Sequence, residues 1–158
     1  MDDHSFFTTF LNVLLTTQEA NELIERIDTI LARIYRIDQK SMIEIMAENM
    51  NANIVDALEY AMKQNNINAG NQQVIKTFLQ RLQSAIRSCE VLSITIAVNP
   101  TQAFLMQIGT YSKQLFGETT LIEINVDTSV IGGGIVIYKG RYVDQSLKKK
   151  LDEYFSSK

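Results

Sequence analysis

The chain has 158 residues, a length that fits one or two domains of the usual 100–200 residues. Its composition, 46% apolar and 21% charged, is typical of a globular protein and too apolar for a disordered one. A net charge of −3 argues against a dedicated nucleic-acid-binding protein, which would normally be basic. One cysteine excludes an internal disulfide and a cysteine-based zinc cluster, and one histidine argues against a His-rich metal site or a conventional His-dependent triad.

The sequence also lacks the usual targeting features. No apolar run reaches the ~18 residues that a membrane-spanning helix needs. The acidic start, residues 1–4, is unlike the positively charged start of a signal peptide. We therefore expect a cytoplasmic protein without a membrane span.

The first half of the sequence predicts a bundle of helices. An apolar segment runs from His4 to Leu15, and Thr16 with Glu19 forms a capping box that opens a second helix. That helix carries apolar residues every three or four positions: Leu23, Ile27, Ile30, Ile34 and Ile37. Further helices are predicted to begin at three polar residues: Ser41, Asn53 and Asn71. Because such helices bury their apolar faces only against one another, we expect a bundle over residues 1–88.

The hydrophobic period changes at Val91. Residues 91–98 alternate with a period of two, which predicts a strand, and residues 119–126 do so again. Between them, Asn99 is predicted to cap a helix with Pro100 at its first position, and Gly117 predicts the end of that helix. Four apolar residues line this predicted helix: Phe104, Ile108, Tyr111 and Leu115. Strand, helix and strand with short joints predict a right-handed parallel crossover.

The last part of the sequence predicts a hairpin and a final helix. A strand over residues 135–138 is followed by Lys139-Gly140, a tight hairpin turn, and by a strand from Arg141. Ser146 is placed to cap the last helix. The predicted fold is therefore α+β: an N-terminal helical bundle over residues 1–88, followed by a small α/β domain with a mixed sheet over residues 89–158.

No arrangement of residues points to catalysis. Gly132-Gly133-Gly134 leads into a strand rather than a helix, so it favours a bend or bulge over a dinucleotide or phosphate site. Asp127 and Asp144 each stand next to a turn or cap serine, a pattern typical of structural carboxylates rather than an acid–base pair. We therefore expect no catalytic residue, no cofactor and no metal.

Two surfaces are candidates for binding a partner. The apolar face of Phe6, Phe7, Phe10 and Leu11 is one, with core packing as the alternative. Lys148, Lys149 and Lys150 are the other; they form either the solvated face of the last helix or a contact for an acidic partner or an anionic membrane surface.

The stretch from Glu123 to Leu151 resembles the C-terminal signature of the δ subunit of rotary ATP synthases, whose mitochondrial relative is the oligomycin-sensitivity-conferring protein. The family's pattern is a strand, an Asp, Ile-Gly-Gly, an apolar strand, then Asp-x-Ser and a helix rich in Leu and basic residues. The matching signature residues in this sequence are Asp127, Ile131, Gly132, Gly133, Asp144 and Ser146. The resemblance covers about residues 90–155.

This resemblance implies a non-catalytic stator subunit. In the family, the helical domain holds N-terminal segments of the α subunits, and the C-terminal domain receives the end of the b-type peripheral stalk. The stalk keeps the catalytic head from turning with the rotor, so that proton flow drives ATP synthesis. The resemblance also implies a peripheral subunit on the cytoplasmic face of an inner or plasma membrane, and we expect a bacterial source in preference to an organellar one.

Two other functions remain as alternatives at this stage. One is a δ-like adaptor that serves a different complex. The other is an enzyme or nucleotide-binding protein that uses the loop of Gly132 to Gly134; nucleotide-induced shifts of those amides in an NMR spectrum would favour it.

Overall fold

A computed structural model describes residues 3–34, 42–68 and 70–156. The chain divides into two compact units. The first, the helical unit, comprises residues 1–14 and 18–89; the second, the α/β unit, comprises residues 15–17 and 90–158. The fold is α+β with a mixed sheet, which confirms the predicted class.

The helices of the helical unit bury their apolar stripes against one another. Its helices are α1 (Asp3–Leu11), α2 (Thr17–Arg33), α3 (Met42–Asn49), α4 (Ala52–Gln64) and α5 (Gln72–Arg87). The predicted apolar stripe of α5 is buried: Ile75, Phe78, Leu79, Leu82 and Ile86. Helix α1 packs on it, and the ring of Phe7 meets Phe78 edge-on, with 5.3 Å between centroids.

Helix α2 buries the stripe that its sequence predicts. Leu23, Ile27 and Ile30 of the predicted stripe are buried in α2, as is Ile34 directly after the helix. A buried polar group joins α2 to α5: Gln83 Nε2 donates to the carbonyl of Ile24 at 3.2 Å and to Asp28 Oδ1 at 2.8 Å. The predicted stripe residue Ile37 and the predicted cap Ser41 lie outside the described residues.

The starts of two helices test the capping predictions. Asn71 caps α5 as predicted, because its side chain accepts from the N–H groups of Gln73 and Val74 at 3.1 and 3.2 Å. The prediction of Asn53 as the cap of α4 is wrong, since Asn51 holds that place in an extended conformation. The carbonyl of Asn51 already accepts the N–H of Val55 at 3.1 Å, which closes the first helical turn two residues earlier.

Within its described residues, the α/β unit consists of one four-stranded sheet and two α-helices. In chain order these are β1 (Val91–Ile96), α6 (Gln102–Phe116), β2 (Leu121–Val126), a 3₁₀ turn (Thr128–Val130), β3 (Gly134–Tyr138), β4 (Arg141–Asp144) and α7 (Leu147–Ser156). The strand order is β2-β1-β3-β4. Strands β1 and β2 are parallel, as the crossover prediction requires, and the other two pairings are antiparallel.

Turn residues fix the joints of this unit. Lys139 and Gly140 have φ values of 49° and 76°, the left-handed pair that a two-residue hairpin needs, and Gly117 ends α6 with φ 120°. The prediction that Asn99 caps α6 is wrong. Thr101 is the cap, because it is extended and its hydroxyl accepts the N–H of Phe104 at 3.3 Å.

One face of the sheet holds the core. Leu92, Ile94, Ile96 and Ile122 are buried, and Leu105 and Ile108 of α6 pack against them together with Val136 and Tyr138 of β3. Of the predicted apolar stripe on α6, only Ile108 contributes, because Phe104, Tyr111 and Leu115 are exposed.

Leu15 and Thr16 complete the β2 edge of this sheet. Thr16 forms a parallel bridge with Ile122, whose N–H donates to the carbonyl of Leu15 at 2.9 Å. The side chain of Leu15 lies against Gly109, where a Cβ would stand 3.0 Å from Leu15 Cδ2. Within the described part of the chain, no helix is both long enough and apolar enough to cross a bilayer.

Candidate functional site

The signature residues lie where two segments of the α/β unit meet. One is the β2–β3 connection, with Asp127 and the glycines; the other is the β4–α7 junction. Two backbone hydrogen bonds of 2.9 Å join them: the N–H of Leu147 donates to the carbonyl of Gly132, and the N–H of Gln145 donates to the carbonyl of Gly134. These bonds hold the start of α7 against the glycine loop.

The glycine loop is filled by the chain's own backbone. A Cβ on Gly133 would stand 2.3 Å from the carbonyl oxygen of Gln145, and Gly133 has φ 71°. Both facts require glycine, because a side chain meets backbone there and positive φ is unfavourable for other residues. Ile131 also has positive φ, 61°, and ends the 3₁₀ turn. The loop is therefore a close approach of backbone to backbone.

Asp127 and Asp144 perform the same local task in different places. Asp127 Oδ1 accepts the N–H of Ser129 at 2.9 Å, and Asp144 Oδ1 accepts the N–H of Ser146 at 2.8 Å. Hydrogen bonds from Ser129, through its hydroxyl and then its backbone, lower the pKa of Asp127. Ser146 lowers the pKa of Asp144 in the same way. Each carboxylate thus stabilises its own turn.

Ser146 is buried and caps α7, as the sequence predicts: its hydroxyl accepts the N–H of Lys149 at 3.2 Å. The helix beyond it is exposed along its whole length, including its apolar residues Leu147, Leu151, Tyr154 and Phe155. Lys148, Lys149 and Lys150 are exposed as well, and Lys149 forms a 3.8 Å ion pair with Glu153 on the next turn.

The apolar face of α1 is part of the core rather than a free surface. Phe7, Phe10 and Leu11 are at most 2% exposed. Core packing, the alternative considered for this face, therefore describes these three residues. The side chain of Phe6 lies outside the described part of the chain.

Sequence reasoning missed a groove over strands β3 and β4. It has a volume of about 540 Å³, and we call it the β3–β4 groove; its lining residues are Phe116, Val136, Tyr138, Lys139, Arg141 and Val143. The sequence did contain a signal for it: the apolar Val143 on a short strand near Lys139 and Arg141. That signal is not sufficient, because Val143 is exposed only if α6 does not extend over β4.

Glu90 organises the hairpin end of the β3–β4 groove. Its carboxylate forms a 2.6 Å ion pair with Lys139 and accepts a hydrogen bond from the hydroxyl of Tyr138. These hydrogen bonds raise the pKa of Lys139 and that of Tyr138. The ring of Phe116 packs on Tyr138, with 4.4 Å between centroids. The groove therefore has a fixed aromatic wall and a charged rim.

The fold and the signature define a protein of two units. One is a helical bundle, and the other has a mixed sheet whose glycine loop is hydrogen-bonded to the start of the last helix. The sequence model of the family described as ATP synthase delta (OSCP) subunit matches residues 11–157. The chain belongs to that family, and membership makes it a peripheral-stalk subunit of ATP synthase. No curated protein was found to match the chain.

Proposed function

We propose that this chain is a non-catalytic stator subunit that links the catalytic head of a rotary ATP synthase to its b-type stalk. Membership in the family, which covers residues 11–157, is the observation that carries the proposal. The division into two compact units supports it, since a linker needs two separate binding surfaces. Rotary catalysis then depends on this chain as a mechanical connection, because the head must resist the torque of the rotor.

The helical unit binds N-terminal segments of the α subunits, and the α/β unit receives the C-terminal end of the b-type stalk. In support, the α/β unit exposes more apolar side chains than a closed domain needs: Phe104, Tyr111, Leu115, Leu151, Tyr154 and Phe155 are each at least 38% exposed. Apolar residues at helical spacing are the anchors that dock one helix on another surface.

A stator subunit must bind its partners tightly. Nanomolar binding requires about −12 kcal/mol, and an interface of roughly 1,600 Å² with a buried apolar centre reaches that range. We place the chain as a peripheral subunit at the cytoplasmic face of the membrane, held there by its partners.

Titration calorimetry on the intact chain tests this function. The probes are peptides from the α N-terminus and the b C-terminus of the same ATP synthase, with a scrambled peptide as control. We expect both native peptides to bind and the purified chain to hydrolyse no ATP. Failure of both peptides to bind a chain shown by circular dichroism to be folded would overturn the proposal.

A further inference from the structure

We infer that the β3–β4 groove binds one amphipathic helix whose apolar face is bordered by acidic side chains. The inference rests on the proposed function, for which it names a contact surface and the chemistry of the stalk segment that fits it. Three features of the α/β unit carry it: a sheet face that is half covered, an exposed apolar flank on α6, and a cationic rim.

The core-bearing face of the sheet has room for a second helix. Packed helices lie about 8–10 Å apart and strands about 4.8 Å apart, so one helix covers roughly two strands. Helix α6 packs on β2 and on the core residues of β1, whereas β4 lies at the far edge. The strand register places Val143 beside Val136 on the same face, and Val143 is 48% exposed. The floor of the β3–β4 groove is thus apolar and open.

Helix α6 contributes Phe116 to the lining of the groove, and it exposes further apolar residues outside that lining. Phe104, Tyr111 and Leu115 share one flank of α6, because spacings of seven and four residues return to the same side of a helix. They lie roughly 120–160° around the helix from Gly109, at about 100° per residue. Gly109 faces Leu15 at the β2 edge, so this flank faces the β3–β4 side. Its residues are between 38% and 72% exposed.

The rim of the groove selects for negative charge. Lys139 is paired with Glu90, but within residues 3–34, 42–68 and 70–156 no acidic side chain pairs with Arg141. A guanidinium beside an apolar groove binds a carboxylate through two parallel hydrogen bonds. The opposite face of the same two strands carries Ile137, Tyr142 and the carboxylate of Asp144 instead. That face therefore presents a negative charge, which does not complement an acidic partner.

Binding of designed helical peptides to the intact chain tests the assignment. One peptide carries Leu anchors at i, i+3, i+4 and i+7 with Glu on the flanking positions; its twin has Lys in place of Glu. We expect the Glu peptide to bind at least about tenfold more tightly than the Lys peptide. In an NMR spectrum of the wild-type chain, its binding shifts the amides of β4 and the hairpin, which locates the site without any substitution.

Substitutions then separate the two faces of the sheet. Val143→Gln weakens binding of the Glu peptide by about tenfold, as expected for an anchor contact. Arg141→Glu weakens it as well and reverses the preference in favour of the Lys peptide. Tyr142→Gln, the neighbour of both residues on the opposite face, leaves the affinity unchanged and is the matched control. Equal affinities for the Val143, Arg141 and Tyr142 variants would overturn the assignment.

The same variants distinguish this inference from the proposed function. If the b-type segment binds the wild-type chain and all three variants equally, the groove assignment is wrong and the stator function stands. If the Glu peptide binds in the groove while neither native peptide binds the chain, the groove stands and the stator function is overturned.

Discussion

Gly133 is the residue whose side chain the structure most clearly forbids. Its φ is 71°, and a Cβ at this position would stand 2.3 Å from the carbonyl oxygen of Gln145, so both the backbone and the space exclude alanine. We expect Gly133→Ala to lower the free energy of unfolding by about 3 kcal/mol or more, since backbone strain and a steric clash add. Gly140→Ala is the control: φ is 76°, but nothing lies within 4 Å, so only strain of about 1–2 kcal/mol remains. Equal losses in urea denaturation would contradict the close approach.

Asp144 makes stability depend on pH. Hydrogen bonds from Ser146 lower its pKa in the folded state, so its carboxylate stabilises the fold above the unfolded value of about 3.9. That contribution is lost as pH falls through the folded pKa. We expect Asp144→Asn to flatten the fall of the unfolding free energy between about pH 5 and 2. Asp127→Asn in addition should flatten it further; an unchanged slope in both variants would refute this role.

At the scale of elements, α6 shows what hydrophobic periodicity cannot decide. The pattern correctly indicates a helix between two parallel strands. It does not identify the buried side, because the helix meets the sheet through Leu105, Ile108 and the small Gly109, which gives room to Leu15. The apolar residues left outside, Phe104, Tyr111 and Leu115, form an exposed flank of the helix.

Two substitutions on α6 test this orientation. Ile108→Ala removes a side chain that packs on the sheet, and we expect a loss of about 1–3 kcal/mol. Leu115→Ala changes a side chain that is 72% exposed, so the expected loss is within about 0.5 kcal/mol. Urea unfolding of both variants measures the difference. A larger loss for Leu115→Ala would mean that the opposite face is buried.

Local signals predicted several joints of the chain but misplaced two helix caps, Asn53 and Asn99, by two residues each. The Asn71 cap, the Lys139-Gly140 turn and the Ser146 cap each depend on neighbours within four residues, so the sequence was sufficient. The burial of Phe7 depends on Phe78, 71 positions away, and the β3–β4 groove depends on how many strands α6 covers. Neither the burial of Phe7 nor the groove can be predicted from the spacing of apolar residues alone.

For the whole molecule, the exposed apolar groove links partner binding to stability. A ligand that binds only the folded chain, present at 100 times its Kd, adds about 2.7 kcal/mol to the unfolding free energy. With the Glu peptide at that concentration, we expect hydrogen exchange of the β1 amides to slow by about 100-fold where it requires unfolding of the α/β unit. The Lys peptide at the same concentration is the control. Equal protection with both peptides would argue against charge selection.

Residues 15–17 decide whether the α/β unit can be produced as a separate fragment. They belong to the sheet-bearing unit although more than seventy residues separate them from its first strand. A shortened chain starting at Glu90 would leave the amide of Ile122 without its acceptor and uncover a hydrophobic edge beside Gly109. The α/β unit is therefore completed by a segment that is synthesised before its strands, and a fragment excised by sequence alone would be prone to self-association along that open edge.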